Sequence, residues 1–214
     1  PDPAPDPAPD PAADPAADPA ADPAPESDAV GVGDPHMTNM KGEQFEIYYT
    51  GTHSLIRIPG DGAAAGKFLD LSGHVADLSH LEQVPRCNPY YFDVFDMHGD
   101  GLGGAVRSMQ VRRDSAGVTF DAVMVDGNTT LLNQSLTTRE AFPSPQVVGA
   151  TKISYRTRRR RNLLFFEIQS SPPIAVRLDW FKNNPRKPGL NILVHGLTRE
   201  LAGALGGIGG LFGA

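Results

Sequence analysis

The chain carries a single cysteine among its 214 residues. It can therefore form no disulfide within itself, and one thiolate cannot supply a cysteine-type structural zinc site. Cys87 reads as a small thiol, buried or half-buried, with a bridge to another chain as the alternative. Long apolar runs are also missing: nothing approaches the ~20 consecutive apolar residues of a membrane-spanning helix. No basic stretch followed by an apolar one marks a signal peptide. Before residue 197 no apolar stripe is sustained at helical spacing. There is no Gly-x-Ser-x-Gly elbow, no zincin pairing of histidines, and no glycine loop followed by Lys-Ser or Lys-Thr. None of these absences leaves a motif that argues for an enzyme. The chain opens on Pro without an initiator Met and closes on LAGALGGIGGLFGA, as expected of a piece of something longer.

Residues 1 to 28 lack any cation, and contain seven Asp and one Glu. The whole-chain net charge of −6 thus leaves the rest at about +2. That near-balance argues against a nucleic-acid partner, which needs a strongly basic face. Within this stretch, residues 2 to 25 are six tandem four-residue units, DPAP or DPAA. Proline fixes φ and pushes the preceding residue to extended conformations. Regular aspartates repel one another, and nothing aromatic or β-branched is present to start a core. The expectation is a disordered, extended linker over 1–28, reaching roughly 80 Å at ~3.1 Å per residue, followed by one β-domain over 29–214.

From residue 36 onward the periodicity is two. Phe45, Ile47 and Tyr49 alternate with Gln44, Glu46 and Tyr48, and Thr50-Gly51-Thr52 looks like a hairpin turn before HSLIRIP. Val118, Phe120, Ala122 and Met124 share one face of their run. Residues 147–157 and 163–169 form a pair, followed by PIAVRLDWF and LNILVHG. DSAG, DGN, RRRN and NNPRKPG supply turns. This predicts an all-β fold, an antiparallel sandwich or barrel-like sheet of about ten short strands, with Trp180 and the Phe-rich runs filling the core.

The stretch GDPHMTNMKGEQFEIYYTG, residues 33 to 51, resembles the opening of a von Willebrand factor type D domain. In that family a Gly-Asp-Pro-His start precedes a short strand, then Gly-x-x-Phe and a second strand. Gly33, Asp34, Pro35, His36, Gly42 and Phe45 fit that frame. VDGNTTLL resembles the family's short hairpin, and LNILVHGLTRELAGALGGIGGLFG its closing strand and Gly-Leu-rich loop. The resemblance spans roughly residues 33 to 213. The family's disulfides are absent, with Gly210-Leu211-Phe212-Gly213 standing where a Cys-Gly-Leu-Cys loop is usual, and its acidic calcium loop would fall beyond residue 214. The resemblance implies a divergent, disulfide-free relative: an extracellular or cell-surface adhesion or assembly module without turnover. Its partners would be other protein modules or acidic matrix polysaccharide; no cofactor is certain, and calcium is the candidate.

Elementary chemistry gives the first motif a structural reading as well. Pro35 forces Asp34 into extended backbone, where its carboxylate can accept from an amide two residues on. His36 then begins a strand, its ring within reach of a neighbouring backbone. The rival reading, a metal-assisted hydrolase using Asp34 and His36, needs further histidines brought near from positions 53, 74, 80, 98 and 195. Asp96, His98 and Asp100 stand at the first, third and fifth places of an EF-hand-like loop, with Gly101 at the sixth. Arg107 falls where a bidentate Glu is required, so Asp96 and Asp100 are weak metal candidates and a strand-to-strand turn is the plainer reading.

Arg156 and Arg158 to Arg161 form the strongest charge feature, at an expected hairpin tip. Such a loop can simply be solvated. It can also serve a processing protease, or bind sulfate and carboxylate bidentately through Arg158, Arg159, Arg160 and Arg161, including the chain's own acidic tail. Asn128 and Asn133 match the glycosylation pattern. With no disulfide to lose, folding is expected to be unchanged by reduction. The check is a thermal melt with and without a reducing agent; a lowered midpoint would reveal a bridge to another chain.

Overall fold

In a computed structural model, the structure describes residues 29–32, 36–60, 67–80, 89–114, 117–124, 145–170, 173–182 and 188–213. They form β1 (Ala29–Val32), β2 (His36–Thr38), β3 (Gln44–Glu46), β4 (Gly51–Ile58), β5 (Leu69–Asp77), β6 (Tyr90–His98), β7 (Val106–Asp114), β8 (Gly117–Met124), β9 (Gln146–Val148), β10 (Thr151–Thr157), β11 (Arg161–Ile168), β12 (Ile174–Phe181), β13 (Asn191–His195) and the short helix α1 (Arg199–Ala204). The fold is all-β. Eight strands make one sheet in the order β3-β2-β1-β13-β12-β11-β10-β9, and five make a second in the order β4-β5-β6-β7-β8. Neighbouring strands are antiparallel throughout.

Period-two patterning produces the core directly. In β11 the inward Leu164, Phe166 and Ile168 alternate with the outward Arg161, Phe165 and Glu167; in β8 Val118, Phe120 and Ala122 point inward. The two inner faces meet where Phe120 and Phe166 pack with centroids 5.5 Å apart. Trp180 stacks on Tyr155 at 6.2 Å, so the expected large residues do fill the interior. Each such side chain, fully buried, is worth about 1.5–3 kcal/mol. Gly73 on β5 makes room for two of them: a Cβ there would lie 2.8 Å from the Phe92 ring.

Two seams join the sheets along their margins. On one side, Ala150 N–H, just before β10, donates to Leu102 C=O at 2.8 Å. On the other, the glycine-rich stretch after α1 runs along β4: Arg57 and Gly209 exchange backbone bonds at 2.9 and 2.8 Å, and Leu211 N–H donates to Ser54 C=O at 2.9 Å. β4 bulges at Leu55, which has no partner in β5. Its carbonyl instead accepts from Phe212 N–H at 2.8 Å, while Phe212 C=O accepts from Met40 N–H at 3.0 Å. The backbone of Phe212 therefore bridges both sheets. This strap covers an otherwise open sheet edge, the usual point of unwanted pairing.

Three expectations need amending. Among the described residues the strands number thirteen, because β1, β2 and β9 are too short to display an alternation. Thr50-Gly51-Thr52 is not a hairpin turn: β3 and β4 lie in different sheets, and Gly51 and Thr52 already belong to β4. Tyr49 does not continue the inward row of Phe45 and Ile47. It is 65% exposed, and Tyr48 60%, because the chain is crossing between sheets there.

Gly210 sits at φ +87, with its would-be Cβ 2.7 Å from Leu55 C=O. Gly210→Val combines a left-handed backbone with that clash, and is expected to cost on the order of 2 kcal/mol. Urea unfolding measures it; an unchanged midpoint would mean that the strap is not docked in solution.

Candidate functional site: an arginine hairpin above a covered aspartate

β10 and β11 pair to the Thr157–Asn162 rung, and Arg158 N–H donates to Arg161 C=O at 2.8 Å. The connection is thus a two-residue turn at Arg159-Arg160. Thr157 Oγ1 donates to Asn162 Oδ1 at 2.7 Å just beneath it. Lys182 N–H donates to Arg160 C=O at 3.1 Å, holding the turn against β12. Arg158, Arg159, Arg160 and Arg161 are all exposed, so the hairpin predicted from the sequence displays its cations to solvent.

Below the turn, the outer face of β10–β12 is built from guanidinium groups laid on aromatic rings. Arg156 lies 5.5 Å from the Phe165 centroid and Arg161 lies 4.3 Å from that of Phe181, a favourable contact of cation with ring face. Between them sits Asp179, an outward residue on β12 whose side chain is nonetheless only 5% exposed. Asn191 Nδ2 donates to its Oδ1 at 2.6 Å, Arg161 Nη1 lies 3.4 Å from the same oxygen, and Arg177 Nη2 lies 3.5 Å from Oδ2. One carboxylate therefore fixes two arginines. Arg156, Arg158, Arg159 and Arg160 meet no carboxylate at ion-pair distance among the described residues. At the same end of the sandwich, Arg113 of β7 reaches across to Gly189 C=O at 3.3 Å, and burial pushes its guanidinium down from the ordinary value.

A processing protease needs its substrate locally extended. Here the candidate bonds sit in a tight turn between two paired strands, so cleavage requires local opening.

The corner read from Gly33, Asp34, Pro35 and His36 is described only from His36, since the first three lie outside the described residues. His36 begins β2, and its Nδ1 stands 2.5 Å from Glu46 Oε1 across the His36–Glu46 rung. The ring thus meets a carboxylate across this rung. The intervening turn is set by Asn39, whose Oδ1 accepts from Lys41 N–H and Glu43 N–H at 3.0 Å each. Gly42 takes φ 80, and Phe45 packs half-buried against the core. The outer side of this corner is a shallow depression of about 290 Å³, lined by Val30, His36, Thr38, Phe45 and Glu46 among others.

The remaining histidines are dispersed. His53 is nearly buried in β4, its ring 4.9 Å from Tyr49 and its Nε2 without a partner among the described residues. Burial depresses its pKa, partly offset by a backbone bond to Tyr49, and the nearby His74 lowers it further. His74 Nδ1 stands 2.7 Å from Asp93 Oδ1 on the outer face of the five-stranded sheet. His98 and His195 end β6 and β13, and His80 is exposed. Among the described residues no three His, Cys, Asp or Glu converge as a metal site would require.

Asp96 and His98 lie in extended β6 and Asp100 in a following 3-10 turn, so residues 96–101 do not wrap around one point as an EF-hand loop does. Asp96 Oδ1 accepts from Gln110 Nε2 at 2.7 Å. Cys87, Asn128 and Asn133 lie outside the described residues. No protein-family model matches the chain, and no curated protein matches it in sequence.

Asp179→Ala would leave two guanidiniums and an amide without their shared acceptor, and is expected to lower stability by on the order of 2 kcal/mol. Asp179→Asn keeps one acceptor oxygen for Asn191 and should lose about half of that. Urea midpoints of the two variants decide it; wild-type values for both would mean that the carboxylate organises nothing.

Proposed function

We propose that this is a non-catalytic adhesion or assembly module of the extracellular space or cell surface, a divergent, disulfide-free relative of the von Willebrand type D domain carried on an acidic stalk. The observation that carries the reading is the position of the uncompensated arginine hairpin. Ala29 pairs with Val194 near the finish of β13, whereas the hairpin sits at the end where β13 starts and β12 finishes. The acidic repeat thus joins the sandwich at its foot, and the cations are displayed at the opposite end. A stalk below and a binding tip above is the arrangement an adhesive module needs.

Guanidinium groups suit sulfate and carboxylate, which they bind bidentately, so acidic polysaccharide and acidic protein surfaces are the partners of choice. The exposed Tyr48 and Tyr49 stand at the same end, in the segment that leads into β4, and aromatic residues of this kind are enriched in binding interfaces. Support for the family resemblance comes from the corner: His36 at a strand start, a positive-φ Gly42 in the turn and Phe45 packed beneath.

The test is retention of the full chain on an immobilised sulfated polysaccharide, against the Arg158→Ala, Arg159→Ala, Arg160→Ala triple variant. At ~0.5 kcal/mol for each exposed contact, the triple change should weaken binding about tenfold and shift elution to lower salt. Elution of both proteins at the same salt would sink the proposal.

A further inference from the structure

We propose that the arginine hairpin, with the outer face of β10–β12 beneath it, is the docking surface for the acidic Asp-Pro-Ala repeat of the same chain, residues 2–25. The module would then cover its own binding tip until a stronger anion displaces the repeat. This goes beyond the adhesive reading, which needs only that the tip bind anions from outside.

Charge complementarity is the first argument. The stretch 1–28 carries eight carboxylates and no cation, while Arg156, Arg158, Arg159 and Arg160 have no carboxylate partner among the described residues. Spacing is the second. Aspartates recur every four residues in the repeat, about 12 Å apart in a polyproline-like chain. Lys152 and Arg156 lie four residues apart on the outward side of β10, about 13–14 Å along an extended strand. Arg160 follows after four more, at the turn.

The chemistry also selects the kind of contact. A chain with proline at every fourth place or closer cannot add to a sheet edge as a regular strand. Carboxylate-on-guanidinium contacts over a face are what remains to it.

The geometry permits the contact within one molecule. From Ala29 at the foot to the hairpin is roughly 25 Å, counting about 3.4 Å per residue along the strands and 4.8 Å between them. The repeat can extend roughly 80 Å. A tether of this length holds its charges at about millimolar local concentration, so individually weak exposed pairs can be populated together.

The experiment is small-angle scattering of the full chain, taken from about 0.01 M to 1 M salt, over which the screening length falls from ~30 Å to ~3 Å. The expected result is a radius of gyration that rises by several ångström with salt. Replacing the seven tail aspartates by asparagine should give the expanded value at every salt. Arg158→Glu with Arg159→Glu should do the same. Arg107→Glu with Arg112→Glu, the same charge change on the other sheet, should leave the compact state intact. Equal expansion in both double variants would reduce the effect to overall charge and overturn the proposal. So would a salt-independent radius, or a compact form whose mass doubles with concentration, which would place the contact between copies. Each of those outcomes leaves the polysaccharide elution shift free to appear, so failure here is distinct from failure of the adhesive reading.

Discussion

Two sheets that share no strand meet face to face through a layer of apolar side chains, and everything else in this molecule depends on that contact. Phe120 from one sheet against Phe166 from the other stands for a whole layer: Leu69, Leu71, Phe95 and Val111 on one side, Ile153, Leu178, Ile192 and Val194 on the other, all fully buried. With a single cysteine, the chain offers no disulfides from within its own sequence. Main-chain bonds at the margins take their place. The glycines after α1 allow two backbones to approach closely beside β4, and Phe212 uses its amide and its carbonyl on different sheets.

The fold was legible in the sequence because its signal is local. An inward Val118-x-Phe120-x-Ala122 row, or RRRN between two Phe- and Tyr-bearing runs, states strand and turn without reference to anything distant. What remained hidden depended on distant partners. Thr50-Gly51-Thr52 has the composition of a hairpin turn, and only the sheet assignment of β3 and β4 shows it to be a crossover. LAGALGGIGGLFGA reads as a loop until Leu55 and Ser54 appear beside it.

The candidate site divides in the same way. The four consecutive arginines were visible as a charged tip. Asp179 was not: inside PIAVRLDWF it is one acid in a strand, and its importance comes from Asn191, Arg161 and Arg177 on three strands. Glu46 as the partner of His36 was likewise concealed, since nothing in GEQFEI identifies which carboxylate will face the ring. The one local hint is that Asp179 stands two residues from Arg177, on the same outward row of β12.

The placing of β1 has a mechanical consequence. It is an interior strand, bonded to β2 on one side and β13 on the other, and the acidic repeat leads into it at the foot. If the tip is anchored to a partner while the stalk is pulled, the force runs parallel to β1. Its hydrogen bonds with both neighbours are then loaded together in shear, instead of being unzipped one rung at a time. The strand that receives the load is thus oriented to resist it.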